Sequence, residues 1–396
     1  MKKFLACLLF VYSVLANEHV FAGNFKVVFI NPGHPVEDST GTFWSSVNRF
    51  MQAAANDLDI ELVSLYAERD HILMKQLAHT VNSHSPNYVI IVNEKGVGKE
   101  LVKAIAPYNL PIFTLLNGFS QQELNSFTPL MKSLIIGHAI PNNFTVGKKL
   151  AQEIVTIHKA KVKKGSYTLL ALRGDYQSSA ATDRFNGLST FLHENEGVLL
   201  VDNPVGNWSE EEAYLKVKGL IKRHRIDLVW ASNDPMALGA KKAIDEGNLE
   251  HEVTIGGINW DRALALNSID VSYGGHVSLG AKALVMLFDY DNKALSACEM
   301  YREVDIFQSS TLHNLTDFWR NTDSKAIEAF DFARFSVTHQ NSVLFDINTF
   351  VTKTYKPFSM FNEKTACTKT QVDSYATKKL GKQDLLSRIL QGNLKK

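Results

Sequence analysis

Asp227-Leu-Val-Trp-Ala-Ser-Asn-Asp-Pro-Met-Ala-Leu-Gly-Ala240 joins a short apolar run to a small-residue helical pattern through a polar turn. It reads as a buried strand over 227–231 and a helix over 235–246. The same unit repeats on both sides. Upstream, strands are expected at Lys26–Ile30, Glu61–Leu65, Tyr88–Val92, Pro111–Leu116 and Ser133–Gly137. Between the first two, Trp44, Val47, Phe50, Met51, Ala54, Ala55 and Leu58 fall at helical spacing, and further helices fit 69–83 and 97–107. After a helix beginning near Asn143, strands are expected at Tyr167–Leu172, Val198–Asp202 and Thr254–Ile258, with helices near 179–195 and 209–224. Strands alternating with helices of this length predict parallel sheets covered on both faces. Two runs of four or five strands predict two similar lobes. In open α/β sheets ligands sit beyond the carboxyl ends of the strands, so the residues after each strand are the ones to inspect.

The 396 residues, 45% hydrophobic and 21% charged, fit a globular chain of two or three domains. A net charge of +1 gives no reason to expect nucleic acid or an anionic membrane as partner. Lys2 and Lys3 precede an apolar run from Phe4 to Ala16, with small residues for cleavage after Ala16 or Ala22. Residues 1–22 therefore read as a cleaved signal peptide, the alternative being an uncleaved N-terminal anchor. No later stretch is long and apolar enough to span a bilayer. Cys7 leaves with the signal; Cys298 and Cys367 are either one disulfide or two free thiols. No Cys/His spacing resembles a zinc site, and neither a metal nor a cofactor is expected. A helix fits His276–Tyr290, a strand Glu303–Gln308 and a short helix 324–332. The aromatic stretch over 310–360 reads as a segment packed across one lobe, followed by a basic tail.

Four segments in register resemble the type I periplasmic sugar-binding proteins, the ribose/galactose-binding-like substrate-binding proteins of ABC transporters. Arg173-Gly-Asp-Tyr-Gln-Ser-Ser-Ala-Ala-Thr-Asp-Arg-Phe-Asn-Gly187 is similar to that family's small-residue segment ending in Glu/Asp-Arg-x-x-Gly. Ala231–Ala240 resembles its Asn-Asp-x-Met-Ala-Leu-Gly-Ala. Ile255-Gly-Gly-Ile-Asn-Trp260 stands where the family has Val-Gly-Phe/Ile-Asp-Gly, and Gly275-His-Val-Ser-Leu-Gly-Ala281 resembles the helix that re-enters the first lobe. The resemblance runs from about residue 25 to 308. It implies an α/β fold of two Rossmann-like lobes with parallel sheets, joined by a three-strand hinge near 139–142, 273–276 and 308–311. The first lobe is expected over 24–140 plus 276–308, the second over 141–275, and a C-terminal extension over 309–396. Effector domains of lactose-repressor-type transcription factors share the core, but carry a helix-turn-helix where this chain has its signal. The resemblance thus implies a monomeric periplasmic receptor for a small sugar or sugar-derived ligand. Its membrane partner is the permease of an ABC importer or, alternatively, a sensory kinase or cyclase.

A sugar pocket needs aromatic planes for the ring face and fixed polar groups for the hydroxyl edges. By resemblance, Phe43 and Trp44 stack on the ligand; the alternative is that they begin the core stripe of their helix. Arg184 matches the family arginine that reaches ligand hydroxyls, and its fork binds two oxygens at once. Asn233 matches a ligand-contacting asparagine whose amide donates and accepts together. Asp234 reads as a helix cap and is left out of the ligand shell. Two departures change the pocket. Ribose-type proteins end one strand in Asp-Arg where this chain has Leu116-Asn117, and Asn259, followed by Trp260, replaces an aspartate. Two carboxylates have become neutral, which puts ribose and galactose themselves in doubt and leaves a modified sugar or polyol. Asn93 and Glu94 after the third strand, and Asp175 and Tyr176 after the sixth, either face the cleft or serve as turn and cap residues. His34, His138 and His276 read as hydrogen-bonded loop residues. With no nucleophile elbow, phosphate loop or dinucleotide fingerprint, the chain is not read as an enzyme.

Overall fold

The computed structural model describes residues 24–36, 40–265, 269–339, 341–357 and 364–365. The expected signal peptide, Cys7, Cys367 and the basic tail lie outside the described residues. Cys298 is disulfide-bonded.

Two sheets form, as the alternating pattern predicts. The first holds β1 (Phe25–Asn31), β2 (Ile60–Tyr66), β3 (Tyr88–Ile91), β4 (Ile112–Leu115) and β5 (Ile135–Pro141). The second holds β6 (Tyr167–Leu172), β7 (Val198–Asp202), β8 (Leu228–Ala231), β9 (Thr254–Asn259) and β10 (Val271–Gly274). The chain then adds β11 (Tyr301–Val304) to the first sheet, β12 (Gln308–Ser309) to the second and β13 (Lys364–Thr365) to the first. The orders are β13-β11-β5-β4-β3-β1-β2 and β12-β10-β9-β8-β6-β7, parallel except for the pairings of β12 and β13. Every residue of β3, β4, β8 and β9 is buried, as strands covered on both faces require.

The first sheet is covered by α1 (Phe43–Asp57), α2 (His71–Thr80), α3 (Gly98–Ile105), α4 (Gln121–Asn125) and α5 (Pro129–Leu134). The second is covered by α6 (Asn143–Lys161), α7 (Ser179–Glu194), α8 (Glu210–Leu220) and α9 (Asp234–Gly247). Helix starts follow local chemistry: the Asp70 carboxylate accepts from the Ile72 and Leu73 amides, and the Asn142 side chain from the Thr145 amide. From α10 (Leu279–Asp291), which is buried from Leu279 to Asp289, the chain returns to the first sheet and packs against α1. A helix apolar all round belongs in a core.

Past β12, α11 (Leu315–Asn321) and α12 (Ile347–Thr352) frame an aromatic cluster. Phe350 meets Phe50 of α1 at 5.1 Å and Phe332 at 5.9 Å, and Phe335 meets Phe345 at 4.9 Å. This cluster is continuous with the core of the first sheet.

Three local expectations change. Ser133 and Leu134 belong to α5, because Thr128 caps a helix that opens at Pro129, and the strand starts at Ile135. Glu303–Gln308 is two strands in different sheets, so the third crossing runs from Val304 to Gln308, earlier than 308–311. The helix at Leu315–Asn321 precedes the one expected over 324–332, where only short 3-10 turns occur.

Candidate ligand-binding cleft

The carboxyl ends of the two sheets face each other across a cavity. Phe43 and Trp44, at the start of α1, form one wall, their rings edge-to-face at 5.0 Å. Trp44 sits so close to Gly33 that a Cβ there would lie 2.2 Å from the Trp44 Cβ. Trp208 lines the cavity too. It stands at φ +64° after Asn207 at φ +49°, a left-handed pair that turns the indole inward. The Asp175 carboxylate accepts from Trp208 Nε1 at 2.8 Å and from the Gln177 and Ser178 amides. Asp175 thus holds Trp208 rather than lining the cavity.

Arg184 projects from α7 and is buried. Its Nε donates to Asn143 Oδ1 at 2.9 Å, its Nη1 to the Ser232 carbonyl at 2.6 Å, and its Nη2 to His276 Nε2 at 3.3 Å. Burial lowers its pKa to about 9, so it stays protonated at neutral pH. Burial first, then the Arg184 charge, lowers the His276 pKa well below its ordinary value, which keeps the imidazole neutral. That ring packs between Phe43 at 4.8 Å and Phe307 at 4.5 Å.

Asn233 lines the cavity, but its Oδ1 caps α9 by accepting from the Met236 amide, and its Nδ2 donates to the Trp208 carbonyl. Both ends of the amide therefore already have one protein partner. Asp234, expected as the cap, instead accepts from Ser272 Oγ and from the Asp261 amide. Its burial raises its pKa to about 7.

Asn117 and Asn259 also line the cavity. Asn117 bridges the lobes: its Oδ1 accepts from the Ala180 amide at 3.0 Å and from Ser179 Oγ at 3.2 Å, capping α7 from the opposite sheet. A second bridge runs from the Thr42 amide to Asp261 Oδ2 at 3.1 Å. Asn259 ends β9 at φ +148°, followed by Trp260 at φ +58°. This turn carries the Trp260 indole away from the main cavity. The indole donates to the Ser272 carbonyl and packs on Phe318 at 5.2 Å.

Asn93 likewise lies outside the lining. Its Nδ2 donates to the Gly118 carbonyl and to Glu123, and its Oδ1 accepts from the Gly98 amide. Thus the structure brings Phe43, Trp44, Asn117, Arg184, Asn233 and Asn259 to the cavity. Asn93, Asp175 and Trp260 are engaged in turns and packing beside it.

Sequence reading missed Arg69, Asn143 and Trp208 and placed no weight on His276 as a lining residue. Arg69 Nη2 pairs with Glu94 at 2.7 Å inside the cleft, so the pocket is not free of charge. Arg69 and Trp208 follow β2 and β7, and inspecting those two strand ends would have found them. Among the described residues no group of His, Cys, Asp and Glu could hold a metal ion, and no helix is long and apolar enough to cross a membrane.

Two α/β lobes with a lined cavity between them, linked by three chain crossings, define a hinged binding clamp. Residues 33–265 match the family model described as a periplasmic binding protein domain, and the chain belongs to that family. It is 28% identical to a periplasmic sugar-binding protein of Pseudomonas fluorescens, with TM-score 0.70 over 80% of this chain and 96% of that one. The fold is also that of the binding protein of the arabinose ABC transporter from Shewanella sp. ANA-3, solved with arabinofuranose. That protein is 18% identical, with TM-score 0.62 over 77% of this chain and 98% of that one. A fructose import binding protein of Bifidobacterium longum is 27% identical over 178 residues, 44% of this chain. The chain spans about half, 51%, of that curated relative.

Proposed function

We propose that this chain is an extracytoplasmic receptor that closes its lobes on a small sugar-like ligand and delivers it to an ABC importer. The observation that carries the reading is the cavity between the two sheets, where Phe43, Trp44 and Trp208 supply aromatic planes beside buried Arg184, Asn117 and Asn143. Aromatic faces with a few fixed polar groups suit a molecule that has both an apolar face and a hydroxyl rim. The relatives support it: a structural neighbour holds D-allose, another arabinofuranose, and the curated relative is a fructose import binding protein. The ligand leaves unchanged, and the protein works as a periplasmic monomer.

A thermal-shift screen of the purified chain against sugars, polyols and sugar derivatives tests this. A ligand at a hundredfold excess over its Kd stabilises by about 2.7 kcal/mol, which raises Tm by several degrees. Phe43→Ala and Trp208→Ala are expected to remove the shift while leaving a cooperative melt. Retained shifts in both variants, or conversion of the bound sugar to new products, would contradict the reading.

A further inference from the structure

The charges and hydrogen bonds lining the cavity do not balance. Arg69 and Glu94 form an ion pair and cancel. Arg184 has no such partner: Asn143, the Ser232 carbonyl and His276 are all neutral. Asp234 and Asp183 act on it only through space. Asp234 is held by Ser272 and the Asp261 amide. A buried cation without a carboxylate in contact is costly unless something else supplies the negative charge.

The hydrogen-bond inventory leans the same way. Both Glu94 oxygens are engaged, one by Arg69 and one by Asn117. The side-chain oxygens of Asn117, Asn143 and Asn233 accept from Ala180, Arg184 and Met236 respectively. Donors remain. A guanidinium has about five N–H groups, of which three contacts of Arg184 account for part, and Arg69 Nη1 is buried without a partner. A neutral sugar hydroxyl donates as well as accepts and could use the second lone pairs of these oxygens, but it brings no charge to set against Arg184. A carboxylate only accepts.

We propose that the ligand is a sugar acid, a hydroxylated ring or chain bearing one carboxylate that Arg184 neutralises. The inference rests on the receptor reading and narrows its ligand class. Calorimetric titration of the wild-type chain with matched pairs tests it: D-glucose against D-glucuronate and D-gluconate, and D-galactose against D-galacturonate. At least one acid is expected to bind with a Kd ten or more times lower than its neutral parent. Arg184→Gln is expected to narrow that gap, and Arg184→Lys, which keeps the charge, to retain part of it. A neutral parent that binds as tightly as its acid overturns the inference and leaves the receptor reading standing. A panel in which nothing binds, while the thermal-shift screen finds a neutral sugar or polyol, overturns the inference alone; no ligand in either experiment overturns both. The wild-type comparison decides even where a variant fails to fold.

Discussion

Asn117 reaches across the cleft to the first turn of α7 and gives two otherwise open donors an acceptor. Removing it should cost the closed form about 1–3 kcal/mol, the usual penalty for stranding buried polar groups. Asn117→Ala is therefore expected to weaken ligand affinity tenfold or more in a titration while lowering Tm little, since its partners lie across a hinge. Two buried titratable groups make opposite pH signatures. Folded Asp234 keeps its proton up to about pH 7, against an ordinary value of 3.8, so its contribution is full below pH 4 and is lost as pH rises toward 7. His276, depressed below 6.5, acts in reverse: its contribution is present above 6.5 and is lost on acidification. In melting curves from pH 4 to 8, the Tm of Asp234→Asn relative to wild type should climb as pH rises to 7. A constant difference would reject this assignment. Much of the site was legible at this scale, because strand ends mark the cleft: Phe43, Trp44, Asn117, Arg184, Asn233 and Asn259 all line it. What each atom does was not legible. Asn233 gives its oxygen to its own helix, and Asn117 finds its partners 62 and 63 residues away.

At the scale of elements, the position of Arg184 depends on how closely α6 and α7 approach. A Cβ at Gly147 would lie 2.0 Å from the Arg184 carbonyl oxygen, and one at Gly187 2.1 Å from the Phe144 oxygen. Both obstacles are backbone, which cannot turn aside. Gly147→Ala is expected to push α7 outward, destabilising the fold by about 1–3 kcal/mol as overpacking does, read as a lowered Tm, and weakening ligand affinity together with it. Normal affinity in that variant would show that Arg184 tolerates the shift. The element order was readable from alternation because parallel strands buried on both faces are short apolar runs between amphipathic helices. The α5–β5 boundary was not, since Ser133-Leu-Ile-Ile-Gly137 is apolar enough for either state and the Thr128–Pro129 helix start decides it. Glu303–Gln308 reads as one strand in the sequence because periodicity does not report which sheet a residue joins.

At the scale of the whole molecule, the segment after β12 ties the lobes together near the hinge. Phe318 lies 6.4 Å from Phe50 of α1 and 5.2 Å from Trp260 at the end of β9. Trp319 Nε1 donates to the Trp260 carbonyl, and Arg262 Nη2 to the Trp319 carbonyl. Phe350 is fully buried in the same cluster, and Phe350→Ala should cost about 3–5 kcal/mol of stability, seen as a lowered denaturation midpoint with the fold retained. The aromatic content of this segment was plain in the sequence. Its grip on Trp260 was not, because the left-handed turn at Asn259 and Trp260 reverses the direction in which the indole points. The central claim is that the two lobes shut on a ligand. Spin labels at Val36 and Tyr176, both exposed and one on each lobe, would report it by pulsed dipolar spectroscopy. A saturating ligand should collapse a broad distance distribution into one short, narrow peak. A distribution unchanged by saturating ligand would contradict the account.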